Sequence, residues 1–183
     1  MKYFAVAIVL ISAANFNNAF GGVLKIFKKA EIEKPFTDEK GYVKGTIPFD
    51  EMIVSEAGKS FKISDLKDNV VVVLFSGTWC PNCPMAAKSI DSVAAKLKEK
   101  GVNNAKFVMI YIGDDSIEEL KEHNADHEIK NLEVNQAMHV STVRAVPLCL
   151  VYDKKGEQVF AYLGARNFSD PRFVKFIEEL SEE

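Results

Sequence analysis

Asn69-Val70-Val71-Val72-Val73-Leu74-Phe75-Ser76-Gly77-Thr78-Trp79-Cys80-Pro81-Asn82-Cys83-Pro84 is the stretch on which the fold of this 183-residue chain turns. Its first half is an unbroken, β-branched apolar run of strand length, the pattern of a strand buried on both faces in the middle of a sheet. The periodicity then changes. Between Pro81 and Lys100, Ile90, Val93, Ala94 and Leu97 recur at i, i+3, i+4 and i+7 and line one face of a helix. Lys88, Asp91, Lys96, Lys98, Glu99 and Lys100 take the other faces, and Gly101 is a natural stop. Cys80 and Cys83 therefore fall where a buried strand hands over to an amphipathic helix.

Working outward, Phe49 to Val54 and Ser60 to Ile63 flank Ser55-Glu56-Ala57-Gly58-Lys59 and predict a hairpin with glycine in its turn. Lys106 to Ile112 reads as a second buried strand. Ser116 and Glu119 stand in capping-box spacing at the head of a second helix. His123 to Val143 has little pattern, and a short helix is expected near Asn135 to His139. Leu148 to Tyr152 and Glu157 to Leu163 predict a hairpin around Asp153-Lys154-Lys155-Gly156. Asp170-Pro171 then opens a closing helix with Phe173, Phe176, Ile177 and Leu180 on its apolar face. Strand and helix alternate before a final hairpin and helix, which is the order of an α/β domain with a mixed central sheet flanked by helices.

The chain has one domain's length. Its 48% hydrophobic and 27% charged residues suit a globular core, and a net charge of −3 with mixed signs leaves no basic stripe for nucleic acid. Residues 1–19 read as an export signal: Lys2, an apolar run from Tyr3 to Ala14, then small residues for cleavage after Ala14 or Ala19. That run is shorter than the roughly 20 residues a membrane-spanning helix needs, and an uncleaved anchor is the competing reading. Residues 20–46 read as a linker or lead-in, and 47–183 as the folded domain. Export to the bacterial periplasm would place the cysteines outside the reducing cytosol.

A cysteine at a helix N-terminus faces backbone N–H groups and the positive end of the helix dipole, which favour thiolate over thiol. Two cysteines separated by two residues in such a turn can close a disulfide with little backbone movement. Cys80, at the exposed end, is the expected nucleophile, and Cys83, one turn inward, the resolving thiol. A zinc site would need two more regularly spaced ligands, and the candidates Cys149, His123, His127 and His139 do not supply that spacing. A purely structural disulfide is the remaining alternative. Cys149 reads as a buried small hydrophobe, and Met85 as a packing residue rather than a copper ligand.

The string from Phe75 to Cys83 resembles the active-site segment of thioredoxins. Val146-Pro147, with Pro147 67 residues after Cys80 and heading a strand, resembles their cis-proline loop; the hairpin at Tyr152 to Gly156 and Gly164 fit as well. The resemblance spans about residues 47 to 180. It is greatest to the exported TlpA- and ResA-like thioredoxins, which share a leading hairpin, the Ile63-Ser64-Asp65-Leu66 segment and an insertion before the cis-proline. It implies a thioredoxin-like fold with an N-terminal β-hairpin and a cis bond at Pro147, for which an X–Pro peptide pays only about 0.5–1 kcal/mol. Catalysis would fall to Cys80 and Cys83, and substrate contact to Trp79, Pro81, Asn82, Val146 and Pro147.

Two departures from the family stand out. Thioredoxins keep a buried Asp where this chain has Leu74, and ResA-like proteins a Glu where it has Ala86, so the resemblance names no acid to take the proton of Cys83.

The function implied is a thiol–disulfide oxidoreductase reducing exported client proteins, of the cytochrome- or copper-site assembly type. A DsbA-like oxidant and a copper-binding assembly factor are the alternatives. No cofactor and no resident metal is expected. The expected partners are disulfide- or dithiol-bearing clients and a membrane thiol–disulfide protein that recharges the pair, and the chain is expected to be a monomer.

Overall fold

The computed structural model describes residues 52–137, 143 and 145–183; the signal at 1–19 and the lead-in at 20–46 lie outside the described residues. The chain opens with an antiparallel hairpin of β1 (Met52–Ser55) and β2 (Ser60–Lys62). Gly58 takes φ of 72° in its turn, a left-handed conformation in which a side chain is strained. A 3-10 turn at Ile63–Leu66 follows, its first N–H groups helped by Asp65, whose carboxylate accepts from the Lys62 N–H at 2.8 Å.

Next comes β3 (Val70–Ser76), every residue of which is buried. It runs parallel to β4 (Ala105–Tyr111) on one side and antiparallel to β6 (Leu148–Tyr152) on the other. With β5 (Val134–Ala137) and β7 (Gln158–Leu163) these strands form one seven-stranded mixed sheet in the order β2-β1-β5-β4-β3-β6-β7. A central strand with partners on both edges needs no polar face, which is why its sequence does not alternate.

Alternation appears instead in where β3 sends its side chains. Val70, Val72 and Leu74 pack with Ala86, Ala87, Ile90 and Leu97 of α1 (Cys83–Glu99). Val71, Val73 and Phe75 pack on the opposite face with Ile63, Val108, Ile110, Leu148 and Leu150. The first face also receives Leu120 of α2 (Ile117–Asp126) and the apolar side of α3 (Pro171–Glu182). Phe173 of α3 lies 5.4 Å from Phe160 of β7 and 5.2 Å from Phe168, ring centre to ring centre. Such tilted aromatic pairs each add about 0.5–1.5 kcal/mol beyond the area they bury.

The caps read from the sequence are in place. Ser116 Oγ accepts from the Glu119 N–H, and the Glu119 carboxylate accepts from the Ser116 N–H at 2.7 Å. Asp170 accepts from the Arg172 N–H at 2.9 Å, with Pro171 in the first turn.

Two expectations are corrected. The first helix begins at Cys83 rather than Pro81, leaving Pro81 and Asn82 in the turn; Pro84 sits in the first helical turn, where its missing N–H has no partner to lose. The helix expected near Asn135 to His139 is not formed at Asn135 to Ala137, which belong to β5; Met138 and His139 lie outside the described residues. This strand pairs parallel to β4 and antiparallel to β1, so tertiary pairing on both edges overrides its weak, polar local pattern.

Candidate active site

The end of β3, the turn after it and the start of α1 carry the two thiols. Cys83 is the first residue of α1 and wholly buried. Cys80 lies in the preceding turn, where its N–H donates to the Gly77 carbonyl and its own carbonyl accepts from the Cys83 N–H, each at 3.1 Å. Both are free thiols. Cys80 is only 5% exposed, which corrects the expectation of an open nucleophile: its Sγ donates to the Val146 carbonyl at 3.6 Å, so the loop before β6 lies against it.

That loop is built as the sequence implied. The Val146–Pro147 bond is cis, Pro147 is buried, and its carbonyl accepts from the Gly164 N–H at 2.8 Å. Val146 is half-buried. Trp79, the residue before Cys80, is 62% exposed, with its indole over Gly77: a Cβ on Gly77 would come within 2.8 Å of the ring. Pro81 and Asn82 are exposed in the turn. All seven residues singled out from the sequence thus meet around one thiol pair. Cys149 stands apart, buried in β6 opposite Leu74, and burial pushes its thiol well above the ordinary range.

Electrostatics separate the two members of the pair in role. Burial pushes the Cys83 thiol up to about 12, and the hydrogen bond with Cys80 pushes in the same direction. The Gly77 N–H and the Ser76 hydroxyl pull the other way and lower it. Cys83 at rest is therefore a protonated thiol held inside the protein, suited to attacking a sulfur brought to it by Cys80.

The sequence reading missed the supports of this turn. Thr78 Oγ1 donates to the Asp115 carboxylate at 2.9 Å. Gln136 Nε2 in turn donates to the Asp115 and Gly113 carbonyls at 2.8 and 3.0 Å. These contacts join the thiol-bearing turn to the β4–α2 loop and to β5. No local pattern announces them, since Thr78 and Asp115 are 37 residues apart. Ser76 could have been found by counting in twos from Leu74, which puts it on the α1 face.

A thioredoxin fold with a Cys-X-X-Cys pair at the head of its first helix, facing a cis-proline loop, defines the class: thiol–disulfide oxidoreductases of the thioredoxin superfamily. The sequence profile of the AhpC/TSA family matches residues 46–169. The chain belongs to the AhpC/TSA family.

Among solved structures it is similar to Mycobacterium tuberculosis DsbF, at 21% identity and a TM-score of 0.57 over 74% of this chain and 99% of that one. A secreted M. tuberculosis disulfide oxidoreductase homologous to E. coli DsbE matches at 20% identity and a TM-score of 0.58, over 72% and 96% of the two chains. A secreted thiol–disulfide isomerase from Corynebacterium glutamicum matches at 16% identity and a TM-score of 0.60, over 81% and 97%. Likenesses at these identities establish the fold. No curated protein sequence matches the chain.

Proposed function

We propose that the protein is exported to the periplasm and reduces disulfides of specific client proteins, of the kind that must present free cysteines for cytochrome or copper-site assembly. The observation that carries this reading is the Cys80 thiol at 3.6 Å from the Val146 carbonyl, next to a wholly buried Cys83. In the first step the Cys80 sulfur attacks a client disulfide, forming a mixed disulfide and releasing one client sulfur, which takes up a proton. In the second, Cys83 attacks Cys80, closing the Cys80–Cys83 bond and releasing the second client thiol. The client gains two electrons and the pair loses them, so a membrane dithiol partner is proposed to return them.

Trp79, Pro81 and Asn82, exposed beside Cys80, are proposed to receive the client together with Val146 and Pro147. Reductase rather than DsbA-like oxidant is favoured by what lies between α1 and Pro147. Among the described residues this is β4, α2 and β5, with no inserted helical domain. The relatives described as secreted support export; among the described residues no helix is long and apolar enough to cross a membrane.

Two measurements test the reading. Equilibration against a defined thiol buffer is expected to give the pair a potential near that of thioredoxin, about −270 mV; a value near about −120 mV, as in DsbA, would reverse the direction of electron flow. In cells, Cys83→Ser is expected to accumulate a mixed disulfide between Cys80 and its client. Absence of any such adduct would rule out the exchange mechanism.

A further inference from the structure

Exchange needs Cys80 and Cys83 within reach of one another, and the turn from Gly77 to Asn82 that sets their spacing is clamped at both ends. On entry, the Ile112 N–H donates to the Ser76 carbonyl at 2.9 Å, pinning the end of β3 to the end of β4. On exit, Cys83 begins α1. Between them Trp79, Pro81 and Asn82 are exposed, and two other side chains tie the turn to neighbouring loops. The Cys80 thiol donates to the Val146 carbonyl at 3.6 Å, a contact that closing a disulfide abolishes because it removes the thiol proton. The Thr78 hydroxyl donates to the Asp115 carboxylate at 2.9 Å, and that bond does not depend on the oxidation state of the pair.

We propose that Asp115 is the positioning residue of the exchange turn: by holding Thr78, two residues before Cys80, it keeps Cys80 within reach of Cys83 whether the pair is open or closed. The anchor is itself fastened. Gln136 of β5 donates through Nε2 to the Asp115 and Gly113 carbonyls at 2.8 and 3.0 Å. Gln136 is paired with Tyr111 of β4 on one edge and Val54 of β1 on the other, so the loop is tied to the interior of the sheet. Gly113, at φ of 145°, leaves room for the carboxylate: a Cβ there would lie 3.3 Å from the oxygen that Thr78 holds. Hydrogen bonds to a carboxylate are about twice as strong as those between neutral groups. The role rests on the exchange reading above and adds the group that sets the effective concentration of one sulfur at the other. When the pair closes against oxidised glutathione, the Cys80–Cys83 bond forms and the glutathione S–S bond breaks. Two electrons and the two thiol protons pass to the two glutathione thiols that leave.

The test is the reduction potential of the pair in the purified protein, read by equilibration against glutathione at fixed pH. Thr78→Val and Asp115→Ala are each expected to lower the equilibrium constant for closure by about tenfold, the scale of one hydrogen bond to a charged group. Tenfold raises the potential by about 30 mV. The double variant is expected to shift no further than either alone, since the same bond is cut in all three. Thr78→Ser, which keeps the hydroxyl, should hold the wild-type value. A potential unmoved or lowered in Thr78→Val overturns the proposal, as does one raised equally in Thr78→Ser. So does a shift confined to Asp115→Ala, the mark of a lost charge near the sulfurs. Additive shifts in the double variant, the mark of two separate packing defects, overturn it too. A merely structural tether would lower the urea midpoint and leave the potential where it was. Should Asp115→Ala fail to fold, Thr78→Val, Thr78→Ala and Thr78→Ser decide by the same criterion. If the wild-type pair closes no disulfide in this buffer, the exchange reading falls and the role of Asp115 with it. A measurable wild-type potential with unmoved variants removes the role of Asp115 alone.

Discussion

The three cysteines of this small domain fall into two environments, and a single labelling experiment separates them. Cys80 touches solvent at the mouth of the turn, whereas Cys83 and Cys149 are closed off and held neutral by burial. Native protein treated with iodoacetamide at pH 8 is therefore expected to take up one equivalent, at Cys80, and three after unfolding, as read by mass spectrometry. The same burial sets a direction at alkaline pH. The folded Cys83 thiol, at about 12, stands above its unfolded value of 9.0. The folded state thus holds a proton that the unfolded chain gives up. The associated stability is complete below pH 9 and is lost as pH rises toward and through 12. Urea midpoints measured from pH 8 to 11 are expected to fall for the wild-type protein and to fall less for Cys83→Ser. The thiol pair was legible because its chemistry is written in residue type and spacing, and its proline through the resemblance to thioredoxins. The support of their turn by Asp115 was not, since that residue lies 37 positions from Thr78 and meets it only in the folded chain.

At the level of elements, two helix contacts carry measurable weight. Asp170 caps α3 and is drawn down to about 2, first by the Arg172 side chain and then by the Arg172 N–H. A carboxylate lowered in the folded state contributes stability that is complete above its unfolded value near 3.8 and lost as pH falls through about 2. Asp170→Ala is expected to cost about 1 kcal/mol at neutral pH by chemical denaturation, and Asp170→Asn much less, because the amide oxygen still caps.

Asp91 of α1 is buried and accepts from the Lys130 N–H, the Asn131 N–H and Asn131 Nδ2 at 3.0, 2.5 and 2.8 Å. Asp91→Ala would release that loop and is expected to cost about 2 kcal/mol, the scale of hydrogen bonds to a charged acceptor. The starts of α2 and α3 and the two hairpins were readable because caps, prolines and turn glycines act within a few residues. The strand β5 was not, because its two partners, β1 and β4, lie far off in sequence and its own residues favour nothing in particular.

For the whole molecule, the sheet order ranks its parts. Among the described residues, β1, β5, β4, β3 and β6 are flanked on both edges, while β2 and β7 end the sheet. Amide hydrogen exchange is expected to be slowest in β3, where all seven residues are buried, and fastest in the three-residue β2 and the turn at Glu56 to Gly58. Equal protection across the sheet would show that the hairpin folds as one unit with the core. The class of fold was legible from the order of buried strand, amphipathic helix, strand, helix and hairpin; the layer each element joins was settled only by packing.

One arrangement gives the molecule an optical voice. The chain has a single tryptophan, Trp79, and it stands immediately before Cys80, mostly open to solvent and resting on Gly77. All indole emission from this protein therefore originates beside its reactive sulfur. A fluorimeter that excites the indole alone, at wavelengths tyrosine does not absorb, listens to the site and to nothing else.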